Sequence, residues 1–121
     1  MGQNDLNPDG APAITALVAD LMFASRVRGV APGARTVHRG DALEGATGPA
    51  TRLVLVDLHA SGALQAIEAL RAAGTTAQIV AFGSHVETDA LQAARAAGAD
   101  RVLARSAFVR ELPALVRGAT A

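Results

Sequence analysis

The chain has no cysteine and no lysine among its 121 residues. Without cysteine it cannot form a disulfide, a thiolate zinc site or a cysteine nucleophile. All eleven basic residues are arginine, so no mechanism that requires a lysine ammonium group is available. The formal net charge is zero, which argues against electrostatic binding to nucleic acid or to an acidic membrane. No apolar run approaches the length of a membrane span.

The length suits one domain, and 50% of the residues are hydrophobic, which is enough to build a buried core. Residues 1–13 are rich in Gly, Pro, Asn and Asp, and we expect a flexible leader there, followed by a single domain at 14–119. The leader has neither a basic region nor an apolar core, so it is not interpreted as a secretory signal. A cytoplasmic location is therefore the expectation.

Strand-like and helix-like patterns alternate along the domain. The predicted strands are 14–20, 34–40, 51–58, 77–84 and 101–105, and the predicted helices are 22–33, 41–50, 61–74, 87–99 and 111–119. Five strands that alternate with five helices through short loops predict a three-layer α/β domain with a parallel sheet. The small size favours a flavodoxin-like strand order, 2-1-3-4-5, in which binding sites lie at the carboxyl ends of the strands.

Local signals predict where the helices begin and which residues they bury. Asp41 and Ser61 are the expected N-caps of the second and third helices, and Ser106 is a further natural N-cap. Pro113 fits a helix only in its first turn, so the fifth helix should begin near Arg110. The predicted core consists of Leu17, Val18, Leu53, Val54, Leu55, Val56, Ile67, Leu70, Ile79, Val80, Phe82, Leu91, Val102 and Leu103.

The stretch VLVDLHASG, residues 54–62, permits two interpretations. An acid at the carboxyl end of a buried strand suggests that Asp57 accepts a phosphoryl group. The same letters spell Asp-x-His-x-x-Gly, which in cobalamin-binding domains presents the histidine, here His59, to cobalt. The Ser-x-Leu and Gly-Gly motifs that follow in those domains are absent, and His59 follows the third strand instead of the first. Three fixed positions also arise often by chance, so the cobalamin interpretation is disfavoured.

The order of the landmarks carries a resemblance. Asp20 ends the first strand, Asp57 ends the third, AFGS ends the fourth, and AARAAGADRVLAR leads into the fifth. Because its landmarks follow this order, the chain resembles the receiver domain of two-component response regulators (CheY-like) over nearly its whole length. The resemblance implies that Asp57 takes the phosphoacceptor position. Asp20 is expected to cap the helix that follows it, and its alternative role is to share a magnesium ion with Asp57. The resemblance also places the main-chain carbonyl of His59 where receivers bind magnesium.

The chain departs from receivers at most of the working positions. Receivers read a phospho-aspartate through a Thr or Ser on the fourth strand, an aromatic residue on the fifth, and a Lys followed by Pro. The equivalents here are Gly83 followed by Ser84, Val102, and Arg105 followed by Ser106. With a single first-strand acid, magnesium should bind weakly, if at all, at Asp20 and Asp57, and no other cofactor is expected. A guanidinium prefers a fixed carboxylate, so Arg105 should pair with one of the two acids as a structural substitute for the switch.

Two histidines should lie at the mouth of the same cleft. His85, in the sequence FGSHVE, is interpreted either as a solvent-exposed loop residue or as a pH- or ligand-sensitive contact to Asp57. His59 is expected to face solvent beside the cleft. These assignments leave a third possibility open, in which a small enzyme or ligand-binding domain uses the cleft formed by Asp20, Asp57 and His85.

The favoured hypothesis is a pseudo-receiver, a non-catalytic signalling module that binds a protein partner or itself without a phospho-aspartate switch. The alternative is an atypical receiver that a histidine kinase phosphorylates on Asp57. In receivers the signal passes through the face that corresponds here to helix 87–99, strand 101–105 and helix 111–119. Helix 87–99 has more alanine than one buried stripe requires, which suits a docking face, although alanine also favours helix by itself. The residues of this predicted face are Ala90, Ala93, Ala96, Arg95, Arg101, Arg110 and Arg117.

Overall fold

The fold is a five-stranded parallel sheet in the computed structural model, which describes residues 12–120. The strands are β1 (Ile14–Leu17), β2 (Arg35–Val37), β3 (Leu53–Asp57), β4 (Gln78–Gly83) and β5 (Arg101–Ala104). Their order is β2-β1-β3-β4-β5, and every neighbouring pair is parallel. The predicted flavodoxin-like order is therefore confirmed, with β3 in the centre.

Helices cover both faces of the sheet. They are α1 (Leu21–Val30), α2 (Leu43–Ala46), α3 (Ala63–Ala72), α4 (Thr88–Ala97) and α5 (Arg105–Thr120), with a 3-10 turn at Gly40–Ala42 before α2. One core cluster joins the sheet to α1 and α5, and the other joins it to α2, α3 and α4. None of these described helices has the length and apolarity needed to cross a membrane.

The alternation of side chains along β3 determines on which face of the sheet Asp57 lies. Leu53 and Leu55 pack into the cluster with α1 and α5, whereas Val54 and Val56 pack into the cluster with α2, α3 and α4. Successive side chains of a strand point to opposite faces. The next side chain, Asp57, therefore lies on the side of α1 and α5, and its register partner on β4 is Phe82.

Three of the residues predicted for the core are only half-buried. They are Leu91, Val102 and Leu103, so the prediction was wrong for them. The reason for the last two is that β5 is an edge strand that pairs only with β4, and all four of its residues are half-buried. The remaining predicted core residues are buried, and α5 adds the buried side chains Phe108, Leu112, Val116 and Ala119.

The predicted N-caps of the second and third helices were wrong. Asp41 lies inside the 3-10 turn and pairs with Arg39 at 2.7 Å. The N-cap of α3 is Gly62 in the left-handed region (φ 77°), and Ser61 does not cap the helix with its side chain. The Gly40 amide donates to the carbonyl of Ser61 (2.7 Å), and a Cβ on Gly40 would overlap the Gly62 carbonyl. The 3-10 turn before α2 and the start of α3 thus approach each other closely at Gly40 and Gly62.

The fifth helix begins earlier than predicted. It starts at Arg105 and contains Pro113 in its interior, so Ser106 lies within the first turn and is not an N-cap before the helix. A helix-interior proline costs about 3 kcal/mol, whereas burying a large apolar side chain stabilises by about 1.5–3 kcal/mol. The buried stripe of Phe108, Leu112 and Val116 runs past the proline, whose ring lies on the exposed side. Burial therefore outweighs the local cost.

A hydrogen-bonded network holds the turn that leads into β5. The Asp100 carboxylate accepts from the Ile79 amide (2.8 Å) and from Nη2 of Arg71 (2.6 Å). Nε of Arg71 also donates to the carbonyl of Gly98 (2.8 Å), which adopts a φ of 124°. The network explains the sequence Gly-Ala-Asp before the last strand, and it positions β5 and therefore Arg105.

The predicted leader falls largely outside the described residues, since residues 1–11 are not described. Its last two residues are paired with the domain. The carbonyl of Pro12 accepts from the Thr51 hydroxyl (2.9 Å), and the carbonyl of Ala13 accepts from the Arg52 amide (2.8 Å). Ordered backbone pairing thus begins before residue 14.

Candidate functional site

Asp57 is a fully buried carboxylate at the carboxyl end of β3, with 0% of the residue exposed. Its Oδ2 accepts a hydrogen bond from the Ala19 amide (3.0 Å), and its Oδ1 accepts one from the His59 amide (3.0 Å). Two main-chain donors therefore hold the carboxylate in one orientation and offset part of its desolvation cost.

Arg105 supplies the positive charge next to this carboxylate. Its Nη2 lies 3.4 Å from Oδ1 of Asp57, and about a third of the arginine side chain (33%) is exposed. The sequence predicted that Arg105 pairs with an acid, and this ion pair is that contact. Because Arg105 is the first residue of α5, the pair ties the end of β3 directly to the start of the last helix.

Aromatic rings fix the position of the guanidinium. The central carbon of the Arg105 guanidinium lies 4.9 Å from the ring centroid of Phe23 and 5.5 Å from that of Phe82. These are distances at which a cation is attracted to the ring faces. Phe82 also stacks on Phe108 with centroids 3.9 Å apart. The three phenylalanines of the chain thus form one cluster, and Arg105 packs against two of them.

Asp20 has a structural role in the observed geometry. Its Oδ1 accepts from the Phe23 amide at 2.7 Å and so caps α1. Over residues 12–120 no ion pair connects Asp20 with Arg105, so Asp57 is the acid with which Arg105 pairs. The contribution of this loop to Asp57 comes from the Ala19 amide instead.

The residues at the switch positions, Gly83, Ser84 and Val102, form none of the described hydrogen bonds of Asp57. Gly83 is buried at the end of β4, and the Ser84 hydroxyl accepts from the Val86 amide (3.4 Å). A Cβ on Gly83 would make ordinary contacts with the side chains of Leu58 and Leu91, at 3.5 and 3.6 Å. The space for a side chain exists, but no hydroxyl occupies it. Val102 packs against the cluster of α2, α3 and α4.

The two histidines differ in their contacts. His59 Nε2 lies 2.7 Å from Oε1 of Glu87, and both side chains are about half exposed. This contact joins the loop after β3 to the start of α4. His85 is exposed, and the described hydrogen-bond partners of the Asp57 carboxylate are Ala19, His59 and Arg105, not His85.

The sequence did not predict several of these contacts. The position of Phe82 directly before Gly83 is a signal that an aromatic ring ends β4 beside the site. Nothing in the sequence indicates that the Ala19 amide binds Asp57 or that Glu87 binds His59, because the partners are separated by 38 and 28 positions. Within the described part of the chain, no group of three or more acidic or histidine side chains is arranged to hold a metal ion.

The solved structures with the same fold include receiver domains of response regulators. The receiver domain of NtrX from Brucella abortus superposes with a TM-score of 0.71 at 19% identity, over 88% of this chain and 96% of that one. A response regulator from Thermotoga maritima gives 0.66 at 16% identity, over 90% and 97%. The BeF3-activated receiver domain of DrrB gives 0.73 at 14% identity, over 88% and 95%.

Comparison by sequence gives no relatives of this kind. No protein-family model matches it, and no curated protein matches it. At these identities the structural likeness is a likeness of fold. The chain therefore has the fold of response-regulator receiver domains, as the sequence landmarks predicted.

Proposed function

We propose that the chain is a pseudo-receiver, a signalling module that binds a protein partner or a second copy of itself without a phospho-aspartate switch. The observation that carries the proposal is the ion pair of Arg105 with the buried carboxylate of Asp57. The module is proposed to catalyse no reaction of its own.

The contacts of Asp57 support this proposal, because both carboxylate oxygens already have hydrogen-bond partners. Both oxygens accept main-chain hydrogen bonds, and Oδ1 also faces the guanidinium. Phosphoryl transfer to the carboxylate also needs a path for the donor, and Asp57 has 0% exposure. Arg105 is a planar fork held against Phe23 and Phe82, so it is less able than a lysine to move onto a new phosphoryl group.

The donor set does not fit a magnesium ion. Magnesium requires several oxygen ligands in a tight octahedral geometry, and the second acid of the site, Asp20, is engaged as the cap of α1. A guanidinium already neutralises Asp57. No magnesium-dependent step is therefore assigned to this chain.

The face formed by α4, β5 and α5 supports a docking role. Ala96 is exposed, Ala90 and Ala93 are half-buried, and every residue of β5 is half-buried. Small side chains lose little conformational entropy when a partner covers them. Exposed arginines at 95, 110 and 117 can form polar contacts at the rim. Arg101 is different, because it pairs with Glu111 on α5 at 2.7 Å.

A phosphorylation assay tests the proposal. The chain is incubated with acetyl phosphate and magnesium, and its intact mass is measured, with Asp57→Asn as the blank. We expect no phosphoryl adduct. A matched variant restores the missing groups with Ala19→Asp, Gly83→Thr and Arg105→Lys together; the Cβ at Gly83 has room, and Ala19 is exposed.

The outcome separates the two hypotheses about Asp57. An adduct on the unaltered chain that is absent in Asp57→Asn overturns the pseudo-receiver proposal and supports an atypical receiver phosphorylated by a histidine kinase. The DrrB receiver domain, which has the same fold, is BeF3-activated. An adduct only on the triple variant supports the view that Arg105, Gly83 and Ala19 prevent the reaction.

A further inference from the structure

A groove of about 680 Å³ opens beside Arg105, between the loop after β4 and the first turns of α5. This volume lies in the range of about 300–1,000 Å³ that is usual for small-molecule sites. The residues that line it are Ser84, His85, Ala104, Arg105, Ser106, Val109 and Arg110.

The lining of the groove is positively charged. It contains two guanidinium groups, an imidazole and two hydroxyls, but no carboxylate. The acids near it are engaged elsewhere: Asp57 is buried behind Arg105, Glu87 pairs with His59, and Glu111 pairs with Arg101. The side chain of Arg110 is exposed and forms no ion pair or hydrogen bond with another side chain in the described part of the chain. A net positive charge is thus presented to the groove.

The groove also has apolar parts. Ala104 and Val109 belong to the lining and carry no polar side-chain atom. A pocket with an apolar surface and a few convergent polar groups is the usual form of a site for a small organic ligand. The dipole at the start of α5 adds a further preference for negative charge at this end of the groove.

We propose that this groove binds a small organic anion, a carboxylate or a phosphate-type group attached to an apolar body. Arg110 and the exposed part of Arg105 hold the anionic group, and the apolar body lies against Ala104 and Val109. The ligand class goes beyond the proposed function, because binding to a partner protein requires no ligand.

Arg105 connects the ligand with Asp57. The guanidinium can satisfy the carboxylate of Asp57 or the anion in the groove, and its 3.4 Å contact with Asp57 is long for a charge-assisted hydrogen bond. The anion and Asp57 therefore compete for one cation. Linkage requires that weakening the contact with Asp57 strengthens binding of the anion.

Titration of the full chain with benzoate and with phenylphosphonate tests this site. Phenylphosphonate has a carbon–phosphorus bond and cannot donate its phosphoryl group, so binding is measured without modification of Asp57. Benzyl alcohol is the neutral control. Affinity is measured by calorimetry, and amide chemical shifts identify the residues affected. We expect saturable binding of at least one anion, with shifts at residues 84–85 and 104–110, and none for benzyl alcohol.

Three variants identify the groove as the site. Arg110→Gln should weaken binding about tenfold or more, since it removes a charged hydrogen-bond donor. Arg117→Gln, at another exposed arginine of α5, should leave the affinity unchanged. Asp57→Asn should strengthen binding, because Arg105 loses its carboxylate partner.

Three results would overturn the proposal. The first is the absence of saturable binding at millimolar concentrations of either anion. The second is an equal affinity of the Arg110→Gln and Arg117→Gln variants. The third is loss of binding in Asp57→Asn, which would show that Asp57 holds Arg105 in place for the anion instead of competing with it. None of these results depends on the phosphoryl-transfer assay, so the failure of this proposal and the failure of the proposed function are distinguishable.

Discussion

The guanidinium of Arg105 lies 3.4 Å from the carboxylate of Asp57, so the first residue of α5 neutralises the last residue of β3. Asp57 is completely buried, whereas a third of the Arg105 side chain remains exposed. Removing Arg105 leaves a buried carboxylate without its counter-ion, whereas removing Asp57 leaves a guanidinium that water still reaches. Because of this difference in burial, replacing Arg105 measures the contribution of the pair to the free energy of unfolding.

Replacing Arg105 with alanine should lower the free energy of unfolding by about 1–3 kcal/mol, below the range for fully buried pairs because Arg105 is partly exposed. Arg105→Lys should cost less, since it keeps the charge but loses the planar contact with Phe23. Urea unfolding measures both, with Arg117→Ala as a control expected near zero. A loss for Arg105→Ala equal to that of the control would show that the pair contributes nothing to stability.

Replacing Ala96 with glutamate should abolish association with a partner or with a second copy. Ala96 is exposed on α4, so the change places a charge on the proposed docking face without disturbing the core. Ala72→Glu, at an exposed position near the end of α3, is the matched control, and Asp57→Asn should also leave association intact. Sedimentation and pull-down experiments measure the effect. If Asp57→Asn abolishes association and Ala96→Glu does not, the docking face depends on the cleft after all.

Replacing Gly40 with alanine should destabilise the fold by about 1–3 kcal/mol, because the new Cβ meets backbone atoms that cannot move freely. Those atoms are the carbonyls of Ser61 and Gly62 at the start of α3. Gly29→Ala is the matched control, since nothing lies within 4 Å of a Cβ there. Gly29 lies in the last turn of α1, where replacing glycine by alanine should stabilise by up to about 0.5–1 kcal/mol. If both variants shift the unfolding temperature in the same direction, the close approach of Gly40 to Gly62 is contradicted.

Replacing Leu55 with alanine should cost about 2–5 kcal/mol of unfolding free energy, as for other large-to-small changes in a packed core. Leu55 is 0% exposed in the central strand. Leu21→Ala, at a residue that is 70% exposed, should change stability by no more than about 0.5 kcal/mol. Chemical denaturation compares the two, and similar small losses would place Leu55 outside the core.

Short-range patterns in the sequence were enough to predict the architecture. The continuous apolar run before Asp57 indicated a buried central strand, and the repeated alternation of strand and helix indicated a parallel sheet. Connections between parallel strands are right-handed and short, so few strand orders remain for a chain of this size. The same regularity brought the ends of β3 and β5 to one edge of the sheet, and with them Asp57 and Arg105.

Only the tertiary structure decided how the site is completed and where several helices begin. The start of α3 lies where Gly40 approaches Gly62, and α5 begins ahead of the proline with Phe108 and Leu112 buried. The Ala19 amide reaches Asp57 across 38 positions of sequence. A local pattern reports on hydrogen bonds and burial within a few residues, whereas these contacts exist only after distant segments have packed. The pairing of Arg105 with an acid was therefore predictable from the sequence, but the contact of its guanidinium with Phe23 and Phe82 is a property of the folded chain.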